Sequence, residues 1–486
     1  MRNIRRAIIT VSAALLIMLL GVQLPQPGST LRCPTPTSPV YAVRDSATGA
    51  TNLTLGPQAS PDAAGSTQLG ALFTAAPEAA PGLTGVHLLT RAGDHLYTAI
   101  ASQVAAAIQA GYVDHGTQFW TSSQSSCGDE VRRFTLGGVS QYAMTPSDRA
   151  LLSKAGWTEA GVAFRATPLS QYTWPAVTGK GPLDLAPYNS PDSLAWKAYK
   201  QATKRSDRES FYQLAATPTA IWLGPSDNIR SYVDKITTAA AAAHEAPLFV
   251  LYAIPDRDCS GYAAGGLPDA NSYRRWVDGI RKGLDGRSAV VIVEPDAIGM
   301  SCLSADGAEQ RTSLLRYALQ TLSGPPHVWV YIHAGSAGLD PQAMATDLIK
   351  VGIASARGFA VNVSGFDSTA SEIAYGKRIN VALNASGVAG KHFVVDTSRS
   401  GAGRPQPGAT GDVPRWCNPR GRAVGPRPTP LTGDEEVDAL LWIKPPGESD
   451  GPCYPGDPAT GWFDRYALDL VSAGLERRTI ADLPVP

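Results

Sequence analysis

The chain has few charges and no excess of either sign. Charged residues make up 17% of its 486 positions, and 42 Lys and Arg are balanced by 42 Asp and Glu. A nucleic-acid-binding protein normally presents a basic surface that neutralises phosphates, so this balance argues against such a partner. None of its cysteines has the C-x-x-C spacing of a zinc site. We therefore expect no nucleic-acid partner, no metal and no cofactor.

The chain also lacks an apolar run long enough to be a clear membrane span. Three arginines within the first six residues precede an apolar run from Ala7 to Val22, which is short against the roughly 20 residues that cross a bilayer. A basic start followed by such a run is typical of a secretory signal. No convincing small-x-small cleavage site follows it, so an uncleaved membrane tether stays open. We expect a secreted or an extracytoplasmic, membrane-anchored protein.

Cysteine is scarce, at six residues, but the number is even. In an exported chain, cysteines outside metal motifs are expected to pair as disulfides. The 48 Gly and 38 Pro suit a loop-rich globular protein, and 486 residues are too many for one average domain. We expect two domains after a signal or anchor segment and a Pro-rich linker, which together take up residues 1–39.

A repeat with an offset of about 45 residues occupies the first of these domains, over residues 40–170. The recurring positions are Tyr97, Ser102, Ala110-Gly111, Gly116 and Phe119, matched by Tyr142, Ser147, Ala155-Gly156, Gly161 and Phe164. A weaker copy with a shortened middle runs from Val40 to Phe73. The pattern predicts a small α+β module of three copies, and it resembles a repeat of secreted bacterial proteins that carries no established chemistry.

Aromatic residues of this module have two interpretations. Tyr112, Trp120 and Trp157 could stack on sugar rings or on the cell surface. Alternatively, they are core residues of each copy. The second interpretation is preferred, because aromatic residues that recur at a fixed repeat position usually pack.

From about residue 182 onward, apolar strand patterns alternate with amphipathic helical ones, as in Asn271–Lys282 and Asp306–Leu322. Such alternation is typical of β/α units around a parallel sheet. The predicted strands are Thr219–Leu223, Leu248–Ile254, Ala289–Val293, Val328–Ile332, Phe359–Val363, Phe393–Asp396 and Ala439–Ile443. We predict an α/β fold, a distorted (β/α) barrel of about seven parallel strands over residues 182–486.

Acidic residues follow three of these strands, in the segments 252–259, 293–296 and 442–450. The carboxyl ends of barrel strands meet at one face, where active sites lie. Two carboxyl groups at such a mouth can cleave a glycosidic bond, one by protonating the leaving oxygen while a water is activated. The alternative is an ion-pair network that only stabilises the loops.

Two of these segments carry long motifs. The first reads Tyr-Ala-Ile-Pro-Asp-Arg-Asp-Cys over 252–259, and the second reads Val-Ile-Val-Glu-Pro-Asp-Ala-Ile-Gly over 291–299. Both resemble the signature segments of glycoside hydrolase family 6, the cellulase family. Further matches in the family's order, across residues 182–486, are Pro218–Gly224, Asn362–Ser364, Asp396–Arg399, Trp416–Pro419 and Lys444–Gly451.

The resemblance implies an inverting β-1,4-glucanase and gives roles to four residues. Asp296 would be the general acid, kept protonated by negative charge nearby. Asp258 would supply that charge and help to relay a proton through water. Asp450 is a debated candidate for the base, and Tyr252 would press on the sugar at the cleavage point and favour a distorted ring.

The same resemblance implies a set of substrate contacts. Lys444, Glu448 and Asn362 would hydrogen-bond to sugar hydroxyls. Trp222 and Trp416 would stack on sugar faces. For both tryptophans the alternative is packing within the barrel core.

The cysteines agree with this picture. Cys259 and Cys302 follow the first two acidic strands, and Cys417 and Cys453 bracket the third acidic segment. Each of these pairs would clamp an active-site loop, and closing loops of roughly 40 residues contributes about 3–4 kcal/mol in the chain-entropy model. The two remaining cysteines, Cys33 and Cys127, can pair with each other, an expectation that rests only on their being left over.

The resemblance fails after the fourth strand, in the segment 331–339. His333 stands in place of an aspartate, Ser336 in place of a histidine, and Leu339 in place of a tryptophan that would stack on the leaving-group side. Loss of that stacking weakens the grip on substrate, and a histidine alters the charge around Asp296.

Two functions are therefore carried forward. The preferred one is a monomeric endoglucanase acting on cellulose or a related β-glucan. An open cleft is expected, since no long insertion lies between Cys302 and Val328 or between Cys417 and Cys453 to roof a tunnel. The alternative is a catalytically impaired, glycan-binding protein of the cell envelope on a degenerate hydrolase barrel.

Overall fold

A computed structural model describes residues 33–34, 36, 38–45, 48–55, 66–124, 126–168, 185–259, 261–299, 302–430, 432, 434–477, 479–480 and 482–483. The predicted signal or anchor segment, and most of the Pro-rich linker, lie outside the described residues. Within the described part of the chain, no helix is both long enough and apolar enough to cross a membrane.

Three antiparallel sheets of three strands each form the N-terminal module, and in each sheet the first strand lies in the middle. The second strand returns as a hairpin, and the third pairs with the other side of the first. The elements are β1 Ser38–Asp45, β2 Thr51–Leu55, β3 Ser66–Ala75, β4 Leu83–Arg91, β5 Asp94–Thr98, α1 Ala101–Gln109, β6 Val113–Ser122, β7 Asp129–Leu136, β8 Val139–Ala143, α2 Pro146–Lys154 and β9 Thr158–Ala166.

One buried core joins the three sheets. Phe73, Phe119 and Phe164, one from the last strand of each sheet, lie with ring centroids 5.3–5.9 Å apart. The Tyr142 hydroxyl accepts the backbone N–H of Tyr97 at 2.6 Å, which links two neighbouring sheets. Each sheet therefore buries one apolar face against the other two, as the units of repeat proteins do.

The recurring aromatics outside this core also pack. Tyr112 lies against a small cluster that includes Leu89, and its hydroxyl donates to Asp94 at 2.7 Å. Trp157 lies against the matching cluster of the third sheet, around Phe134. These contacts favour the packing interpretation over sugar stacking for both side chains.

A single sheet of seven parallel strands forms the second part of the chain, in the order in which the strands occur in the sequence. The predicted seven-stranded α/β fold is confirmed. The strands are β11 Ile221–Leu223, β13 Leu248–Leu251, β14 Ala289–Val293, β15 Val328–His333, β16 Gly358–Val361, β17 His392–Asp396 and β18 Val437–Leu441. Two short strands, β10 Ala186–Pro187 and β12 Glu245–Ala246, pair separately.

Helices connect the strands, as expected for parallel β/α units. They are α3 Leu194–Gln201, α4 Arg205–Ala215, α5 Ile229–Ala242, α6 Ala270–Leu284, α7 Ala305–Leu322, α8 Pro341–Lys350, α9 Thr369–Ala385 and α10 Asp464–Glu476. Strand side chains alternate between two cores. Phe249 and Val291 pack with the helices, whereas Val250 and Ile292 pack inside the curved sheet. Burial on both faces explains why these strands read as continuous apolar runs.

The first and last strands approach each other without forming a ladder. The backbone N–H of Ala220 donates to the carbonyl of Trp442, and the Trp222 indole N–H donates to the carbonyl of Ile443, both at 3.0 Å. Isolated hydrogen bonds therefore join β18 to β11, and the sheet is a distorted barrel that is weakly closed at this point.

The second predicted strand is shorter than its apolar pattern. The pattern runs to Ile254, but β13 ends at Leu251. The backbone N–H groups of Ala253 and Ile254 donate to the carboxylate of Glu294, at 3.1 and 3.2 Å, instead of to a neighbouring strand. The chain therefore leaves the ladder early and turns toward the barrel mouth.

Candidate active site

Several strand-end turns at the barrel mouth have left-handed backbone conformations. The φ angles are positive at Asp256, Asp258, Glu294, Asp296 and Asn362, between 43° and 65°. Non-glycine residues adopt this region rarely, and tertiary contacts must hold them there. Three of these residues belong to the predicted site, so its backbone is fixed by the surrounding fold.

The Asp296 side chain faces outward from the end of β14, with 62% of its surface exposed. Its backbone N–H donates to Nδ1 of His333 at 2.9 Å, and its carboxylate lies 3.7 Å from the same nitrogen. Because Nδ1 accepts a hydrogen bond, the imidazole is neutral here and carries its proton on Nε2. Burial lowers the pKa of His333, which favours the same neutral form.

Tyr252 follows β13 and lies between two neighbours. Its ring makes an edge contact with Trp222, at 5.1 Å between centroids, and the Arg257 guanidinium lies 4.3 Å from the ring centroid on the face. Burial raises the pKa of the Tyr252 hydroxyl, and the nearby Asp296 and Asp258 carboxylates raise it further. The hydroxyl is therefore a neutral hydrogen-bond donor near both acids.

Asp258 folds back onto its own loop. Its carboxylate accepts the backbone N–H of Ala263 at 2.8 Å, and its carbonyl accepts that of Gly261 at 2.7 Å. The next residue, Cys259, is bonded to Cys302. A short, hydrogen-bonded loop anchored by a disulfide thus carries this acid.

The Asp450 side chain is only 8% exposed, and its oxygens are occupied. One oxygen accepts from Arg399 at 2.6 Å and from the backbone N–H of Asn418 at 3.2 Å. The other lies 3.5 Å from the Lys444 ammonium. A general base needs an oxygen free to take a proton from water, so these contacts favour an electrostatic anchor.

Asn362 is also buried, at 1% exposure. Its side-chain oxygen accepts the Asp367 backbone N–H at 3.2 Å, and its amide donates to the carbonyls of Asp367 and Asp396, at 3.2 and 2.9 Å. The side chain predicted to bind a sugar hydroxyl is therefore committed to backbone groups, and it fixes the turn after β16.

The remaining predicted binding residues differ in accessibility. Trp416 is 49% exposed, whereas Trp222 is half-buried and its indole N–H is committed to the Ile443 carbonyl. Lys444 and Glu448 are partly buried. Burial raises the pKa of Glu448, and the positive charge of Lys444 opposes that rise.

Two further disulfides are formed in the described residues. Cys417 is bonded to Cys453, which clamps the segment that carries Asp450, and Cys33 is bonded to Cys127 in the N-terminal module.

Two buried acidic side chains accept hydrogen bonds from the backbone around the site. The sequence motifs assigned no role to either of them. Asp396 accepts four backbone N–H groups, those of Ser364, Ser398, Ile443 and Lys444. Glu294 accepts those of Ala253 and Ile254, and burial raises its pKa to about 7. Asp396 ends a run of buried apolar residues, and Glu294 follows one. An acid at the end of a buried strand needs hydrogen-bond partners, and this position is the sequence signal that could have identified both residues.

The segment after β15, where Ser336 and Leu339 depart from the family pattern, is held in place by side-chain contacts. The Ser336 hydroxyl accepts from Arg404 at 2.8 Å, and Arg404 also forms an ion pair with Asp367. The backbone N–H of Ala337 donates to Glu372 at 2.9 Å. Leu339 stands on this segment with 49% of its surface exposed.

Two family models match the chain. Glycosyl hydrolases family 6 matches residues 185–474, and a domain of unknown function (DUF5648) matches residues 73–167.

Curated relatives are endoglucanases and cellobiohydrolases. Endoglucanase A of Cellulomonas fimi is 39% identical over 289 residues, which cover 58% of this chain and 60% of that protein. Endoglucanase 1 of Streptomyces halstedii is 37% identical over 306 residues, which cover 62% of this chain and 90% of that protein. Against Endoglucanase A of Thermobispora bispora, at 42% identity, the match covers 49% of this chain and 52% of that protein. The chain thus spans little more than half the length of two of these relatives.

Solved structures give the same picture. The endoglucanase Cel6 from Mycobacterium tuberculosis, in complex with methyl-cellobiosyl-4-deoxy-4-thio-β-D-cellobioside, has a TM-score of 0.56 and 41% sequence identity. The match covers 61% of this chain and 99% of that one. The GH6 enzyme of Orpinomyces sp. Y102 has a TM-score of 0.53 and 28% identity.

Proposed function

The chain belongs to glycosyl hydrolases family 6, whose model matches residues 185–474, and we propose that it hydrolyses β-1,4-glucosidic bonds in cellulose or a related β-glucan. Hydrolysis inverts the anomeric carbon and cleaves bonds within the chain. The observation that carries the proposal is the exposed Asp296 carboxylate on a backbone held by His333 at the barrel mouth.

Asp296 acts as the general acid. Its exposed carboxyl group reaches the oxygen between two sugars and protonates it as the bond to the anomeric carbon breaks. Inversion requires a water molecule to attack that carbon from the opposite face and to lose a proton. No carboxylate is assigned as a covalent nucleophile.

Asp258 takes part in the loss of the water's proton, through a water relay. Its carboxylate lies on the loop after β13, near the same tyrosine as Asp296. Asp450 supports the site through its contacts with Arg399 and Lys444, and these occupied oxygens support a positioning role over that of direct base.

The sugar-binding surface consists of aromatic and polar side chains around the mouth. Trp416 offers an exposed indole face, and Tyr252 presents a neutral hydroxyl toward the cleavage point. Lys444 and Glu448 donate to and accept from sugar hydroxyls. Asn362 contributes indirectly, by fixing the turn after β16.

The experiment that tests this function uses purified full-length protein on carboxymethylcellulose and on mixed-linkage β-glucan. We expect soluble reducing ends, and proton NMR of fresh product should show the α-anomer before mutarotation. An early excess of β-anomer would refute inversion.

A second function is supported by the three departures from the family pattern, at His333, Ser336 and Leu339. A degenerate barrel that only binds glycan in the cell envelope would sediment with insoluble glucan and release no product. Sedimentation with insoluble glucan, measured beside the release of reducing ends, therefore separates the two functions.

The protein is a monomer that is secreted or tethered outside the cytoplasm, and its three disulfides support an oxidising compartment. Residues 1–39 form the signal or anchor and linker, residues 40–170 the repeat module, and residues 182–486 the barrel.

A further inference from the structure

Two exposed aromatic side chains touch at the barrel mouth. Tyr262 is 54% exposed and Trp416 is 49% exposed, and their ring centroids lie 5.8 Å apart in an edge contact. Large aromatic side chains are mostly buried, so two adjacent exposed ones usually mark a surface that binds something. Tyr232 is the other exposed aromatic residue of comparable size in the described residues, and it stands by itself on α5.

The two rings belong to different active-site loops. Tyr262 stands on the loop after β13, four residues beyond Asp258, and Trp416 precedes Cys417 on the loop before β18. The Tyr262 ring also packs on Gly451, next to Asp450, since a Cβ added at position 451 would lie 2.7 Å from that ring. Tyr262 therefore joins the loop of one acid to the segment of the other.

The strand order shows what this contact crosses. Within the sheet β11 is paired with β13, and isolated hydrogen bonds place β18 on the other side of β11. The contact of Tyr262 with Gly451, which follows β18, therefore passes over the end of β11. Trp222 lies at that end, with Tyr252 against it.

Both sides of the contact are anchored at their bases. The Cys259–Cys302 bond fixes the Tyr262 loop, and the Cys417–Cys453 bond fixes both Trp416 and Gly451. Between these anchors, the Tyr262 ring touches Trp416 and Gly451. An aromatic pair of this kind contributes about 0.5–1.5 kcal/mol beyond the area that it buries.

We propose that Tyr262 is a specificity-determining residue that forms, with Trp416, an aromatic arch over one side of the glucan cleft. The proposal rests on the glucanase function proposed above. The arch retains a bound chain after a cut, so that several bonds of one chain are cleaved before it is released. The Tyr262 side chain thus provides a partial roof over the cleft.

The test compares Tyr262→Ala with wild type on insoluble cellulose. We expect the ratio of soluble to insoluble reducing ends to fall roughly 2–12-fold, the range that loss of one aromatic contact gives. Turnover of a short aryl cello-oligosaccharide should stay within about twofold, because it needs no retention of a long chain. Tyr262→Phe keeps the ring and should match wild type.

Tyr232→Ala is the matched control, since it removes another exposed tyrosine, from α5, and should change neither readout. The dissociation of cellohexaose, followed by tryptophan fluorescence in proteins that also carry Asp296→Asn, tests the arch without turnover and should be faster when Tyr262→Ala is added. An unchanged product ratio together with unchanged dissociation would overturn the arch. Absence of product from wild type would instead reject the glucanase function, while the dissociation rates still decide on the arch.

Discussion

His333 holds the backbone of Asp296, not its carboxylate. The imidazole Nδ1 accepts the Asp296 N–H at 2.9 Å, while the carboxylate oxygen stays 3.7 Å away and faces the mouth. A neutral imidazole thus occupies the place where the family pattern has an acid. It fixes the turn that carries the general acid without adding charge to the site.

This bond makes activity sensitive to low pH. Burial lowers the pKa of His333 below 6.5, although the Asp296 and Asp396 charges oppose that shift. As the pH falls through the lowered pKa, protonation removes the acceptor at Nδ1 and puts a cation beside Asp296. The turn that carries Asp296 then loses the hydrogen bond that fixes it.

We therefore expect kcat to fall on the acidic side of the profile through His333. His333→Asn cannot ionise, and its side-chain oxygen can still accept a hydrogen bond, so it should extend activity toward lower pH. The measurement is kcat against pH for both proteins. Superimposable acidic limbs would mean that His333 does not titrate in the working range.

Asp296→Asn should abolish turnover while sparing the fold. The amide keeps the shape but cannot donate the proton, and loss of a general acid typically costs about 10²–10⁴-fold in rate. The side chain is largely exposed, so the melting temperature should stay near the wild-type value. Cellohexaose binding should also persist. Wild-type turnover in the variant would show that another group supplies the proton.

Asp450→Ala should act first on stability. It leaves the buried Arg399 and the partly buried Lys444 without their carboxylate, and removing one partner of a buried pair costs about 3–5 kcal/mol. The free energy of unfolding, measured with urea, should fall by that order, and turnover should fall with it. A variant as stable as wild type but without turnover would instead support the role of base.

Leu339→Trp should strengthen binding on the leaving-group side. Leu339 is half-exposed on a loop held by Arg404 and Glu372, and an indole adds about 0.5–1.5 kcal/mol of stacking, or roughly 2–12-fold in affinity. We expect KM on long glucans to fall. Cleavage of short oligosaccharides with activated leaving groups is the control, since it depends little on that subsite.

An unchanged KM in a folded Leu339→Trp protein would mean that this loop does not line the cleft. His333→Asp, which restores the family's acid, is the companion variant. If His333→Asp also fails to raise turnover, the result favours the glycan-binding function over hydrolysis.

The sequence by itself determined the barrel. Strands buried on both faces appear as uninterrupted apolar runs, so Ala289–Val293 was predicted with its observed bounds and Asp306–Leu322 within one residue of α7. Parallel strands end at one face, so acids that follow them could be grouped before any contact was known. The cysteine spacing around these segments likewise matched the bonds that form.

Only the tertiary structure decided what each polar side chain does. Asp450 and Asn362 both belong to long motifs. Yet the Asp450 carboxylate accepts a hydrogen bond from Arg399, and the Asn362 amide donates to the backbone carbonyls of Asp367 and Asp396. Partners of this kind come from distant segments, and no local pattern encodes them. The contact of Tyr262 with Trp416 has the same origin, because two loops far apart in sequence meet only when β18 closes beside β11.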